Sequence, residues 1–283
     1  MKKFFLLDYK TIDDSHWNNP DNSILQMLER YSKGIGDYEQ NELTEAIFNR
    51  LGWRNRYTDT IFSFRTIICK IIEVYSEENV IKLNDDKRIK FYFKENTLRY
   101  EINGQQNDKY KYGKKLLYEK ATDEKKALNQ IMNKIFEDKD LFDKLKIVAG
   151  LVDSLSNFMP HPGYPFNQAK GNLDNIADNL NLMIDKVQKC INDNKDLLYG
   201  NNDKKIEVAV LLKWKEWFVR NQESYCLNDI YEIKDDKMVG RKLFDTQSLG
   251  KPLPTNKEEI LKYLDNMINI LCVRGEKMNM SIR

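Results

Sequence analysis

The feature that most constrains how this chain can fold is a proline-rich segment between two strongly helical stretches. Asn157–Gly171 reads NFMPHPGYPFNQAKG and holds three of the six prolines and one of the two histidines in the 283-residue sequence. Proline fixes its own φ, donates no backbone hydrogen bond and pushes the residue before it out of the helical region. The segment therefore predicts a stiff, extended connection. Because loops held on a rigid scaffold often carry function, it is the first candidate site.

Apolar residues spaced by three and four positions predict a mostly helical C-terminal half. We expect one helix to begin at Asp123, capped by Thr122, and a second to cover Leu141–Leu155. After the proline-rich segment, an apolar stripe from Ile176 to Ile191 predicts a third helix.

Two further helices are expected toward the C-terminus. Ile206–Phe218 is apolar almost all round, which predicts a central, buried helix. Thr255 and Glu258 match an S/T-x-x-E capping box, so the last helix is expected to begin there and to end at Gly275.

The N-terminal half carries strand patterns. Residues 89–93 and 98–102 alternate around a turn at Glu95–Asn96, which predicts a β-hairpin, and Asn103–Gly104 predicts a second hairpin turn. Met1–Leu7 predicts a strand and Thr60–Tyr75 a helix, although the β-branched residues of the latter also suit a strand.

These patterns together predict an α+β fold that is predominantly α-helical, with a small antiparallel sheet in the N-terminal half. We expect a mixed α/β lobe with a β-hairpin over residues 1–120 and a helical lobe over residues 121–283. One continuous domain fits the same patterns.

Charge, hydropathy and cysteine spacing narrow the class of protein. With 46 basic and 44 acidic residues the formal net charge is +2, which excludes a whole-molecule attraction to nucleic acid but not a local basic patch. No window approaches the ~18 apolar residues of a membrane span, and the N-terminal apolar run stops at Asp8, too early for a signal peptide. Four widely spaced cysteines predict reduced core residues rather than disulfides or zinc ligands. We expect a cytoplasmic protein without membrane association, metal or cofactor.

The proline-rich segment and a polar stretch before it supply the candidate ligand- or partner-binding residues. These are Asp59, Arg65, Asn157, His161, Asn167 and Lys170. Amides, an ammonium and a guanidinium can bind anionic or polar ligands, and His161 can act as a general base. Each also has a structural use: His161 packing beside two prolines, Asn167 bonding backbone, Lys170 on the solvated surface, and Asp59 paired with a nearby arginine.

Two other patterns are typical of nucleic-acid chemistry. Lysines alternate with tyrosines over Lys109–Lys120, and Lys111, Lys114 and Lys115 are the candidate nucleic-acid-binding residues. The same alternation is typical of an edge strand whose lysines deter aggregation. Glu232–Lys234 has the E-x-K spacing of metal-dependent nucleases, but this chemistry needs an acidic residue on a neighbouring strand, and the region is predicted to be mainly helical.

Two blocks resemble a known but uncharacterised family. Arg56–Phe64, RYTDTIFSF, resembles a G-D-T-M-N-S-F-like motif, although Tyr57 replaces its glycine and Phe62 its asparagine. Asn157–Pro160, the NQAKG of Asn167–Gly171 and the following amphipathic helix resemble a downstream block with an N-x-x-K/R-G pattern.

Both blocks occur in a sporadically distributed family of bacterial proteins of unknown function, encoded in genomes and mobile elements, and the resemblance covers about residues 50–220. The family has no established activity to carry over. Its distribution implies a role in phage–host conflict or another accessory function.

The sequence favours a non-enzymatic cytoplasmic protein that binds a macromolecular partner, with a protein partner expected, because no catalytic constellation is recognisable and Tyr, Trp and Arg are abundant. One alternative is a nucleic-acid-acting protein, a nuclease or toxin, that uses the Lys109–Lys120 strip. Another is a small-ligand or enzyme site around Asn157–Gly171.

Overall fold

The computed structural model describes residues 58–78, 81–84, 87–94, 97–111, 123–152, 154–173, 176–200 and 203–281. Over these residues the fold is α+β and predominantly helical, with small antiparallel sheets, as the sequence predicted. The predicted strand at Met1–Leu7 and the predicted cap Thr122 lie outside the described residues.

Seven helices lie within the described residues: α1 (Phe64–Glu78), α2 (Asp123–Glu137), α3 (Lys139–Val152), α4 (Phe166–Gly171), α5 (Leu180–Asn192), α6 (Val208–Asn221) and α7 (Lys257–Ser281). The strands are β1 (Thr58–Thr60), β2 (Ile81–Asn84), β3 (Lys87–Lys94), β4 (Thr97–Ile102), β5 (Gln105–Lys111), β6 (Phe158–Pro160), β7 (Leu197–Tyr199), β8 (Lys204–Ile206), β9 (Tyr231–Lys234) and β10 (Lys237–Gly240). A short 3-10 turn, Leu155–Asn157, joins α3 to β6.

The largest sheet has four antiparallel strands in the order β2-β3-β4-β5. Both predicted hairpins are confirmed: β3 pairs with β4, and β4 with β5. Asn103 and Gly104 have φ values of 54° and 77°, the left-handed conformation that a two-residue hairpin turn requires. Ile89 and Phe91 are fully buried on the face that packs against α1, so alternate residues of β3 lie on the opposite face.

The helix predictions are confirmed in kind but not at every end. The stripe from Ile176 becomes helical only at Leu180, because Ala177 and Asp178 adopt left-handed conformations with φ of 51° and 57°. The prediction that the last helix ends at Gly275 is wrong: α7 continues to Ser281, and Met278 is still buried against the core.

The start of α7 also differs from the predicted capping box. Thr255 does interact with a glutamate, but it is Glu259 rather than Glu258 whose Oε2 accepts hydrogen bonds from the Thr255 backbone N–H and hydroxyl, at 2.8 and 3.0 Å. Asn256 Oδ1 accepts from the Glu259 N–H at 2.9 Å, so Asn256 caps the helix.

The helix predicted to be central and buried, α6, is buried on one side only. Leu211, Trp214 and Phe218 face the core, whereas Leu212 and Val219 are 44% and 40% exposed. Charged residues are interspersed along α6 and lie on its solvent-facing side. The helix is therefore only partly buried, despite its apolar composition.

The E-x-K spacing lies in a two-stranded hairpin between the helices α6 and α7. Glu232 of β9 lies opposite Val239, and Lys234 lies opposite Lys237. Among the described residues, the neighbouring strand β10 therefore offers no acidic residue, and the metal-site arrangement of such nucleases is not formed there.

Side chains of α5 satisfy the outer edge of this hairpin. The Met238 N–H donates to Gln188 Oε1 at 2.9 Å, and the Gly240 N–H donates to Asp185 Oδ1 at 2.7 Å. A Cβ on Gly240 would lie 2.0 Å from the backbone oxygen of Asn181, so only glycine allows the strand to approach the helix this closely.

Contacts cross the predicted lobe boundary near residue 120. Strand β1 pairs with β6, and α1 packs against both α2 and α7. One cluster of buried apolar residues includes residues from both sides of the boundary, and the exact division into lobes stays a prediction. All four cysteines are reduced thiols; Cys69, Cys190 and Cys226 are buried, and Cys272 is half-buried.

Candidate functional site

Asn157 anchors the proline-rich segment to the strand that precedes α1. Its Oδ1 accepts a hydrogen bond from the Phe62 N–H at 3.0 Å, and its Nδ2 donates to the Phe62 carbonyl at 3.1 Å. The Asn157 carbonyl also accepts from the Ile61 N–H at 2.7 Å. The fully buried Asn157 side chain thus takes the place of a strand's backbone and extends the β1–β6 pairing.

Lys170 on α4 lies between two carboxylates. Its Nζ is 2.6 Å from Asp178 Oδ1 and 3.2 Å from Asp59 Oδ2, and its side chain is 0% exposed. Asp59 comes from β1 and Asp178 from the turn before α5, so the three residues join three separate parts of the chain. We call Asp59, Lys170 and Asp178 the buried clasp after its buried lysine; the side chains of Asp59 and Asp178 are 17% and 23% exposed.

The clasp keeps its lysine charged. Burial acts to lower the pKa of Lys170, but the charges and hydrogen bonds of Asp178 and Asp59 outweigh this effect and raise the pKa above its ordinary value. A lysine that keeps its proton can neither attack a carbonyl carbon nor accept a proton.

Backbone strain positions Asp178 in the clasp. Ala177 and Asp178 are consecutive left-handed residues, which costs about 1–2 kcal/mol for each non-glycine residue. The turn is held in place by the Leu180 N–H, which donates to the Ile61 carbonyl at 2.9 Å. The next side chain, Asn179, accepts a hydrogen bond from the Tyr263 hydroxyl at 3.2 Å. The ion pair with Lys170 and these bonds compensate for the strain.

His161 is buried inside the proline-rich segment and is 3% exposed. Its Nδ1 accepts a hydrogen bond from the Gly163 N–H at 3.0 Å, and its ring stacks on Phe166 with centroids 6.0 Å apart. Burial lowers the pKa of His161 to about 4, and the nearby Lys170 charge acts in the same direction. The ring is therefore neutral at pH 7, and the bond at Nδ1 assigns its proton to Nε2.

The structure thus brings together Asp59, Asn157, His161 and Lys170, but not the other two candidates. Asn167 is exposed on α4, where its Oδ1 accepts a hydrogen bond from the N–H of the adjacent Gln168 at 2.8 Å. Arg65 lies in the first turn of α1, and its side chain is outside the described part of the structure. Within the described residues, Lys170 is the cation beside Asp59, and the expected pairing of Asp59 with a nearby arginine stays a prediction.

Asp178 is the clasp residue that sequence reasoning missed. Its signal was an acidic residue eight positions after Lys170, but the apolar stripe from Ile176 made the intervening residues look helical.

A second concentration of charge lies on the four-stranded sheet, on the face of β3 that points away from α1. Lys82, Arg88 and Lys94 are exposed there, and Lys90 and Tyr92 are half-buried. We call these five residues the basic face. Lys90 Nζ is 3.4 Å from Glu77 Oε1, whereas within the described residues Lys82, Arg88 and Lys94 have no acidic side chain at ion-pair distance.

The strand register places like charges opposite each other on this sheet. Lys82 of β2 lies opposite Arg88, and Arg99 of β4 lies opposite Lys111 of β5. Arg99 also lies opposite Tyr92 of β3, but it is only 2% exposed and is therefore not one of the exposed cations of this face. Glu101, opposite Lys90, is the acidic residue that β4 contributes. Like charges that face each other across strands lower stability, so the Lys82–Arg88 pair is not what stability alone favours.

Of the three nucleic-acid-binding candidates, only Lys111 lies within the described residues. Lys111 is the last residue of β5, and its backbone pairs with Arg99. Lys114 and Lys115 lie outside the described residues, as does most of the Lys109–Lys120 strip.

The C-terminal half has a separate surface cavity of about 390 Å³, lined by Glu223, Cys226, Asn228, Lys277 and Met280. Burial raises the pKa of the Cys226 thiol, so this cysteine is not an activated nucleophile. Among the described residues, no group of three or more His, Cys, Asp or Glu side chains is placed to hold a metal ion.

Comparisons with protein-family models, with curated proteins and with solved structures find no match to this chain. The resemblance of Arg56–Phe64 and Asn157–Gly171 to an uncharacterised bacterial family therefore stays a prediction. In the part of the chain that the structure describes, no helix combines the length and apolar character needed to cross a bilayer.

Proposed function

We propose that this chain is a cytoplasmic binding protein without catalytic activity, which acts on a macromolecular partner. One contrast carries the proposal: Lys170 is paired with two carboxylates inside the fold, whereas Lys82, Arg88 and Lys94 of the basic face are exposed. The first group holds the protein together, and the second is available to a partner.

The chemistry of the buried groups supports this proposal. General acid–base catalysis needs a group whose pKa lies near the working pH. Lys170 is moved above its ordinary pKa, and His161 is moved down to about 4, so both move away from neutrality. His161 Nδ1 also accepts a hydrogen bond from the Gly163 N–H, so the ring cannot bind a proton at Nδ1 without breaking this hydrogen bond. These groups suit a structural role better than turnover.

The site of action is proposed to be the surface of the sheet rather than the proline-rich segment. Three exposed cations that have no acidic side chain at ion-pair distance within the described residues, together with a tyrosine, are the kind of surface that a large, charged partner recognises. The role in phage–host conflict that the family resemblance implies is part of the proposal and is supported by the sequence motifs alone.

Affinity capture tests the proposal. The tagged full chain is immobilised, incubated with bacterial lysate, and compared with the tag alone; recovered proteins and nucleic acids are quantified at several bait concentrations. We expect a partner that saturates the bait at a fixed ratio. Recovery no greater than with the tag alone would contradict partner binding. A partner that is recovered chemically altered by the chain would contradict the absence of catalysis.

A further inference from the structure

The basic face is long and narrow, and its length along β3 and its width onto β2 follow from the strand geometry. Arg88 and Lys94 are six residues apart on β3, which corresponds to about 20 Å at the rise of an extended strand. Lys82 extends the same face sideways onto β2, about 5 Å from Arg88. Tyr92 lies between Lys90 and Lys94 on this face, so an aromatic ring interrupts the row of cations.

The cations are retained at a cost to stability, which points to an external anion. Lys82 directly opposite Arg88 repels it across the strands, and within the described residues neither has an acidic side chain at ion-pair distance. A bound polyanion would remove this repulsion, and its release of counterions would add to the affinity. An acidic protein surface would satisfy the same cations, and the binding tests below distinguish it from a nucleic acid.

We propose that the basic face binds single-stranded nucleic acid, with its cations on the phosphates and Tyr92 stacked against a base. This inference rests on the proposed function and names the class of its partner. A pleated sheet face with an aromatic ring and flanking cations suits splayed, unstacked bases, whereas a duplex hides its bases from such a surface. Recognition of this kind is tolerant of sequence, because every base offers a face for stacking.

Fluorescence anisotropy with a labelled 12-nucleotide single strand of mixed sequence tests the inference. Three cations on phosphates predict a slope of about −2 for log affinity against log salt, so affinity falls about twentyfold between 50 and 200 mM salt. The triple variant Lys82→Gln, Arg88→Gln, Lys94→Gln is expected to lose most of the binding and most of the salt slope. Its melting temperature should not fall, because the substitutions relieve repulsion.

A matched control removes the same charge elsewhere. Lys213→Gln, Arg220→Gln and Lys237→Gln change two lysines and one arginine that are exposed on α6 and β10. This variant should bind the single strand like the wild type. Equal loss of binding in both triple variants would show a whole-molecule charge effect and overturn the inference.

A third variant tests the aromatic ring. Tyr92→Leu keeps apolar bulk on the face but removes stacking, and it should weaken binding of the single strand at least about fivefold. Wild-type affinity for a duplex of equal length should be lower than for the single strand. Equal affinity for the duplex, or equal displacement by inorganic polyphosphate of the same charge, would overturn the assignment to single strands.

The outcomes separate this inference from the proposed function. Lack of binding at 50 mM salt overturns the nucleic-acid inference, while a saturable partner in the capture experiment still supports a binding protein. Cleavage of the labelled strand, followed on a denaturing gel with and without Mg²⁺, contradicts the absence of catalysis. Loss of the signal in the Lys82, Arg88 and Lys94 variant would then still support the basic face as the binding surface.

Discussion

The buried clasp and the basic face both concentrate charge, but only the clasp pairs its cation with carboxylates of the same fold. In the clasp, Lys170 lies within 3.2 Å of two carboxylates and is fully buried. On the basic face, Lys82 lies opposite Arg88, and both are exposed. A charge satisfied inside the fold works for stability, whereas a charge that the fold leaves unsatisfied is available for a partner. The same substitutions should therefore have opposite effects in the two regions.

The largest expected effect is the loss of the clasp lysine. Lys170→Met leaves Asp59 and Asp178 without their cation, and breaking a buried ion pair in this way costs about 3–5 kcal/mol of unfolding free energy. Urea denaturation followed by circular dichroism measures the loss. A loss below about 1 kcal/mol would show that the clasp does not stabilise the fold and would remove one side of the comparison.

Two variants control this measurement. Asn167→Ala changes an exposed residue on the same helix and should alter stability by less than about 0.5 kcal/mol. Adding Asp59→Asn and Asp178→Asn to Lys170→Met should recover much of the loss, because a whole ionic group can be replaced more cheaply than one partner can be removed. No recovery in this triple variant would mean that the lysine acts through packing rather than charge.

The next effect is a pH dependence that His161 introduces beside the clasp. Its pKa of about 4 lies below the ordinary 6.5, so between these values the unfolded chain binds the proton and the folded chain does not. Stability therefore falls as the pH drops from about 6.5 toward 4, by up to about 3 kcal/mol. Urea denaturation at pH 7 and pH 4.5 measures this fall in the wild type.

His161→Gln isolates the contribution, because glutamine keeps a hydrogen-bond acceptor but does not titrate. The variant should lose less stability than the wild type over the same pH interval, even though its carboxylates titrate identically. Parallel curves for the two proteins would show that His161 is not held neutral by burial.

The smallest effect, and the sharpest test of the contrast, lies on the basic face. Lys82→Glu converts a like-charge pair with Arg88 into an opposite-charge pair and should raise stability by about 0.5 kcal/mol. The same change should weaken binding of the single strand. A gain in stability with a loss of binding is the reverse of what a structural charge would give.

Lys90→Glu is the matched control for this substitution. It reverses a lysine charge on the same face, but it creates a like-charge pair with Glu101 and also breaks the contact with Glu77. Stability should therefore fall by at least a similar amount, while binding also weakens. If both variants lose stability, the cross-strand pairing does not determine how these charges affect stability, and the contrast with the clasp is wrong.

Local patterns made much of the fold predictable. Alternation over residues 89–102 and the Asn103–Gly104 turn identified the hairpins, because the period of a strand and the conformation of a turn both depend on residues that are adjacent in sequence. The helices followed from their apolar stripes for the same reason. Helix ends were less predictable: Gly275 lies within α7 because burial of Met278 favours another turn more than glycine disfavours it.

The sequence identified several polar residues that are buried in and near the proline-rich segment, but it did not identify the contacts that they make. Proline density led to Asn157, His161 and Lys170, which do lie together. Their role depends on partners far away in sequence, such as Asp59, and on the left-handed turn at Ala177, whose alanine gives no local signal. The basic face was harder to see, because the position of Lys82 opposite Arg88 is a fact of strand register.

The hairpin edge held by α5 has a consequence for amide hydrogen exchange. The N–H groups of Met238 and Gly240 are bonded to side chains of a helix rather than to a third strand. Their exchange with deuterium therefore requires the hairpin to separate from α5, not merely to fray. These two amides should therefore exchange at similar rates, so that both report one shared opening event between the hairpin and the helix.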